Sequence, residues 1–213
     1  MLLPLIDMKT RDFDKEAAGW DSNPARVKLA GDIGHVLVNK MKLTRTMEVL
    51  DFGCGSGLLT LFIAPLVKTV IALDSSQGML DVLEKKLICQ NINNVKVLFS
   101  GGQSIETLIG KYDLIVSSMA LHHVEDAMGL VSIFYKHLLP DGIVAIADLD
   151  LDDGEFHEDS TGIFHNGFDR SKLKIDFENI GFRNVSLVNA ATVEKSISGI
   201  LKKFTIFLIM GKK

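Results

Sequence analysis

Residues 49–57 read VLDFGCGSG. An apolar run of strand character ends in an acid and gives way to glycine at every second position. Ordered glycine surrenders more conformational entropy than any other residue, so such a run marks a backbone that other residues do not permit. With a strand in front and the apolar stretch LLTLFIA behind, the pattern describes a strand, a tight loop and a helix. A loop of this kind lets main-chain N–H groups approach a ligand, and the helix N-terminus favours negative charge. Taken by themselves, the glycines also fit an ordinary tight turn.

Outward from this loop, strand-like and helix-like segments alternate. Asn23-Pro24 is a cap followed by proline at the first helical position, which predicts a helix to about Lys40. Strands are expected at Thr46–Asp51, Thr69–Asp74, Val95–Phe99, Tyr112–Ser117 and Ile143–Asp148, the last after the turn Pro140-Asp141-Gly142. Helices are expected from Gly57 to Ala64, Ser76 to Gln90, Asp126 to Leu138 and Asp169 to Ile180. In the second of these, Met79, Leu80, Leu83 and Leu87 share one face. Near-continuous apolar strands alternating with crossover helices predict an α/β fold with a doubly wound, mostly parallel sheet covered on both sides. Phe182–Ala190 and Phe204–Met210 stand too close together for a crossover helix. They read as an antiparallel pair joined by a modest connection.

The chain has 213 residues, 47% hydrophobic and 23% charged, with a net charge of −4. This profile predicts one globular domain without a nucleic-acid or anionic-membrane footprint. Within it, residues 1–42 read as N-terminal cap helices, 43–148 as a cofactor-binding half, and 149–213 as a lid loop with C-terminal antiparallel strands. The opening MLLPLI is too short for a signal-peptide core, no apolar run approaches a membrane span, and the only cysteines are Cys54 and Cys89. A cytoplasmic protein with reduced thiols is expected.

Asp74, closing the strand after the glycine loop, lies where related folds bind a ribose, and a carboxylate accepts a hydrogen bond from each vicinal hydroxyl. Asp-Ser-Ser is also good helix-capping chemistry. A dinucleotide fingerprint is G-x-G-x-x-G, whereas the spacing here is Gly53-x-Gly55-x-Gly57, preceded by Asp51. An acid aimed into the loop repels pyrophosphate but helps hold a cationic amino group.

VLDFGCGSG, IALD ending at Asp74, and YDLIVSSMALHHVED at 112–126 together closely resemble the class I S-adenosylmethionine-dependent methyltransferases of small-molecule type. The resemblance covers nearly the whole chain. It implies a seven-stranded Rossmann-like sheet in which a reversed last strand inserts beside the fifth, with S-adenosylmethionine as cofactor. It further implies that Asp51, Gly53, Cys54 and Gly55 surround the methionine part and that Asp74 binds the ribose diol. Ser75 and Met79 would line the adenosine pocket, and Ser117 would offer its carbonyl near the amino group. Many relatives carry an acid after the third strand for the adenine. This chain has SGGQSIE there, which leaves Gln103, or its neighbour Ser104, as that contact.

His122 and His123 follow the fourth strand at the rim where the transferred methyl group should lie. Adjacent loop side chains diverge, so one of them faces the substrate or both satisfy backbone groups. His122 is the candidate general base, with His157 and His165 reaching in from loop 152–168, whose DGxFH…HxGF stretch resembles a subset of small-molecule methyltransferases. The acids and histidines of that loop match no tight metal motif, so no metal is expected. FDKEAAGWD at 13–21 resembles the segment that closes over the cofactor, with Trp20 either capping the pocket or anchoring the core. The expected reaction is in-line methyl transfer to a small diffusible acceptor, with neither nucleic acid nor membrane as partner. A non-catalytic methyltransferase-like binding partner and a nicotinamide-dependent reductase are the rival readings.

Overall fold

The computed structural model describes residues 11–101 and 110–213. The opening MLLPLI and the candidate adenine contacts Gln103 and Ser104 lie outside them. Seven strands, β1 (Glu48–Phe52), β2 (Thr69–Asp74), β3 (Val95–Phe99), β4 (Tyr112–Ser118), β5 (Leu138–Leu149), β6 (Arg183–Ile197) and β7 (Ile200–Lys212), form one sheet. Its order is β3-β2-β1-β4-β5-β7-β6. The first five strands are parallel, and β7 runs antiparallel to both β5 and β6. The helices are α1 (Phe13–Ala17), α2 (Pro24–Lys40), α3 (Leu58–Ile63), α4 (Gln77–Cys89), α5 (Ala127–His137) and α6 (Arg170–Ile180).

Strand geometry sends successive side chains to opposite faces, and the two cores divide accordingly. Val49, Leu114, Val116, Ala145 and Ala147 join Ile33 and Leu37 of α2 and Leu59 and Ile63 of α3 on one face. Leu50, Ile115, Val144 and Ile146 meet Phe134 of α5 and Leu173 and Phe177 of α6 on the other. Capping fixes where the helices begin. The side chains of Asn23, Ser76, Asp126 and Asp169 each accept a backbone N–H from the first turn of α2, α4, α5 and α6. Left-handed Gly181 closes α6.

Two segments depart from the sequence expectation. Strand β5 begins at Leu138, before the expected turn, because Pro140-Asp141-Gly142 is absorbed in a strand whose register against β4 shifts between Tyr112 and Leu114. Likewise, the expected connection after Ala190 is strand. β6 and β7 continue as a long hairpin to the two-residue turn Ser198-Gly199, where φ is +51° and +81°. The β6–β7 register shifts by one between Asn189 and Ala191, and beyond that bulge Val193 and Ile197 pack against the core that contains α2. Two positive φ values are the type I′ signature, for which Asn-Gly is preferred. Ser198→Asn is therefore expected to raise the melting temperature by about 1–2 °C, roughly 0.5 kcal/mol in a chain of this size; calorimetry checks it.

Candidate active site

The carboxyl ends of β1, β2 and β4 open into a cavity of about 290 Å³. Trp20, Asp51, Gly53, Cys54, Gly55, Asp74, Ser75 and Met79 all line it. Two of the glycines are needed for different reasons. Gly53 has φ +67°, and a Cβ there would lie 2.5 Å from Cβ of Ala120, so this position is closed by packing. Gly55 has φ +54° and nothing within 4 Å of an added Cβ. What a side chain would occupy there is the cavity itself.

Asp74 holds this loop in place. Its Oδ2 accepts the Gly55 N–H at 2.7 Å, and its Oδ1 accepts the Ser76 N–H at 2.9 Å. The cap of α4 is Ser76 rather than Asp74, since the Ser76 Oγ accepts the Met79 N–H. Burial raises the Asp74 pKa, against the lowering effect of the hydrogen bonds from Ser76 and Gly55. Asp51 is almost fully buried and accepts a hydrogen bond from the Thr60 hydroxyl. Burial pushes its pKa up to about 7 despite that bond, with a smaller contribution from Asp74. Burial, followed by these two carboxyls, also pushes the Cys54 thiol up, so it is a small filler and no thiolate.

A strap of residues 11–22 roofs the cavity. Asp14 Oδ1 accepts the Ser76 hydroxyl at 2.6 Å and the Gly78 N–H at 2.8 Å, which ties α1 to the start of α4. Asp21 accepts the Ser56 hydroxyl at 2.6 Å and pairs with Lys86. Between these two ties, Trp20 faces the cavity, with the Arg26 guanidinium 3.7 Å from its ring centroid. Arg26, Leu29 and Ala30 line the same space from one face of α2. The sequence reading did not single them out, although their i, i+3, i+4 spacing directly after Trp20 is a signal that would have found them.

The histidines separate. His123 lines the cavity, whereas His122, His157 and His165 do not. His122 is 1% exposed, with Nδ1 2.7 Å from Asp148 Oδ1. That carboxyl also accepts the N–H groups of Leu149 and His122, so it acts as an acceptor throughout and the imidazole donates to it. The His122 carbonyl in turn receives the N–H groups of Phe164 and His165, and His165 Nε2 sits 3.0 Å from the Val124 carbonyl. Loop 152–168 thus packs behind the turn that carries the histidines. His157 lies against His122, ring centroids 4.9 Å apart, and its Nε2 is buried with no partner among the described residues. Burial and the neighbouring His122 depress its pKa to about 4. Ser117 is buried, its hydroxyl without a partner among the described residues, while Ser118 lines the cavity. No group of three or more His, Cys, Asp or Glu among the described residues is arranged to hold a metal ion, and no described helix is long and apolar enough to cross a membrane.

Comparison with known proteins accords with this architecture. Residues 25–187 match the model of the methyltransferase domain family. A methyltransferase, C1347.09, of Schizosaccharomyces pombe is 29% identical over 189 residues, 82% of this chain and 65% of that protein. Trans-aconitate 2-methyltransferase of Deinococcus radiodurans is 36% identical over 101 residues, 46% of this chain and 36% of that enzyme. The chain therefore spans less than two thirds of the length of either relative. Among solved structures, a SAM-dependent methyltransferase from Aquifex aeolicus superposes with a TM-score of 0.65 at 20% identity, covering 92% of this chain and 97% of that one. The chain belongs to the class I S-adenosylmethionine-dependent methyltransferase family.

Proposed function

We propose that this chain transfers a methyl group from S-adenosylmethionine to a small-molecule acceptor by in-line displacement. The observation that carries the reading is that Asp74, the bare loop at Gly55 and buried Asp51 face one cavity across adjacent strands β2 and β1. In this reading Asp74 accepts hydrogen bonds from a ribose diol, while Ser75 and Met79 flank the nucleoside. The main chain at Gly53–Gly55 receives the amino-acid end, with Asp51 beneath its ammonium group. Arg26, a guanidinium on the cavity wall, suits the carboxylate of the same ligand. Gln103 and Ser104 remain the proposed adenine contacts, and Ser117 the proposed carbonyl near the amino group. The cofactor supplies an electrophilic methyl group on a sulfonium. The residues of the chain align it, exclude water beneath the strap, and need to remove a proton only from acceptors that begin protonated.

The small-molecule part of the reading is supported by the strap, whose Phe13 and Trp20 help to enclose the cavity. A relative named for methylating trans-aconitate, a small acid, supports it too. Thermal shift tests the cofactor directly. S-adenosylhomocysteine at about a hundred times its dissociation constant should stabilise the chain by about 2.7 kcal/mol. NAD(H) should leave the melting temperature unchanged. The reverse result would favour a reductase, and no shift with either would leave the chain a non-catalytic member of its family.

A further inference from the structure

His123 stands at the far side of the cavity from Asp74. Strand β1 separates β2, which ends at Asp74, from β4, which leads into the turn Leu121–His123. Two strand spacings of about 4.8 Å put the two chain segments roughly 10 Å apart. With the nucleoside at β2 and the amino-acid end at β1, the β4 side is where a methyl acceptor fits.

The ring is held firmly. His123 Nδ1 lies 2.8 Å from the Gly162 carbonyl. A carbonyl oxygen only accepts, so Nδ1 carries the hydrogen and, in the neutral ring, Nε2 keeps its lone pair. Phe13 meets the imidazole edge to face at 5.2 Å, and the His122 ring packs at 4.2 Å. Behind it, Asp148 fixes His122 through both its ring and its backbone N–H. The titratable and charged groups around His123 include His122, Asp148, Arg11 and His157, whose ring centroid lies 6.3 Å away. Burial and His122 depress its pKa to about 4, so the ring is neutral at physiological pH.

We propose that His123 is a catalytic residue whose Nε2 takes the proton of a hydroxyl-bearing methyl acceptor, with His122 and Asp148 as positioning residues. This rests on the methyltransferase reading above. A thiol ionises readily and an amine attacks through its lone pair once it is in the free-base form, whereas a hydroxyl must shed its proton as the new bond forms. A fixed, neutral imidazole can take that proton. As the S–CH₃ bond breaks and the O–CH₃ bond forms, the O–H bond breaks and an Nε2–H bond forms. The positive charge lost from sulfur reappears on the imidazolium, which then releases its proton to water.

Two readouts test this on the full chain. Nitrogen-15 NMR of the histidine rings, with S-adenosylhomocysteine bound at pH 7, should show His123 protonated at Nδ1 and bare at Nε2. Methyl-labelled S-adenosylmethionine, offered a panel of phenols, catechols, aliphatic alcohols, carboxylic acids, amines and thiols, should place label on a hydroxyl oxygen. His123→Asn keeps an amide donor for the Gly162 carbonyl but removes Nε2. It should lower that transfer at least about 100-fold while leaving calorimetric S-adenosylhomocysteine affinity within about threefold. His122→Asn should slow transfer less and displace the His123 ring signals. The proposal fails if Nε2 carries the hydrogen or both nitrogens are protonated at pH 7. It also fails if His123→Asn transfers at the wild-type rate, if label appears only on nitrogen, sulfur or carboxylate, or if no hydroxyl compound is labelled. Failure of the wild-type chain to bind S-adenosylhomocysteine at all would instead remove the methyltransferase reading.

Discussion

Asp51→Asn is expected to stabilise the ligand-free protein above pH 7 while removing most of its affinity for S-adenosylhomocysteine. Asp51 is 1% exposed, and its pKa stands at about 7 against an ordinary value of 3.8. Since the folded-state value is raised, the native chain binds more protons than the unfolded one between about pH 4 and 7, and stability falls as pH rises through that window. Above pH 7 the full cost of ionising a buried carboxyl is present. Three pKa units correspond to about 4 kcal/mol, and relaxation reduces this to roughly 2–4 kcal/mol. Asparagine keeps an oxygen for the Thr60 hydroxyl and never ionises. The melting temperature of the variant should match that of wild type at or below about pH 4 and exceed it by about 5–10 °C at pH 8.

The same charge is what a cationic amino group binds. Below pH 7 wild-type Asp51 must release a proton before it can pair, so affinity should rise about fivefold between pH 6 and 7, about tenfold by pH 8, and level off above. The asparagine variant should show a flat profile at an affinity about 100-fold below the wild-type plateau, the loss of one buried charge-assisted contact. Calorimetry across pH 5.5–8.5 reads both effects. A wild-type profile without a step, or an asparagine variant no more stable at pH 8, would mean that Asp51 is not the charged floor of the site.

The legibility of this fold and site followed a physical divide. Elements whose rules are local were readable. Thr69–Asp74 and Val95–Phe99 are strands over the residues expected, and capped helices begin beside Asn23, Ser76, Asp126 and Asp169. The cavity residues on the glycine loop and at the end of β2 were readable as well, because backbone and strand position alone put them there. What depended on packing between distant segments was not. Which of two adjacent histidines faces the cavity is decided by Asp148, 26 residues onward, which captures His122 and leaves His123 to Gly162. The wall formed by Arg26, Leu29 and Ala30 appears only once α2 is folded over the loop. The hairpin beyond Ala190 was missed because Val193 and Ile197 find their apolar partners in the distant core under α2.

Asp74→Ala is expected to weaken S-adenosylhomocysteine binding by two to three orders of magnitude, more than the loss of a diol contact alone would give. Two charge-assisted hydrogen bonds to ribose hydroxyls account for about 3 kcal/mol or more. Asp74 also accepts the N–H groups of Gly55 and Ser76. Its removal therefore frees the loop that must lie against the amino-acid end, and the ligand has to order that loop as it binds. Asp74→Asn separates the two contributions. Its amide oxygen can still accept the Gly55 N–H, so the loop stays fixed, while the charge and one acceptor toward the diol are lost. The asparagine variant should fall between wild type and alanine, with a binding entropy close to that of wild type, whereas alanine should show a larger unfavourable entropy. Equal losses for the two variants would show that Asp74 acts on the ligand alone. An unchanged affinity in either would place the ribose elsewhere in the cavity.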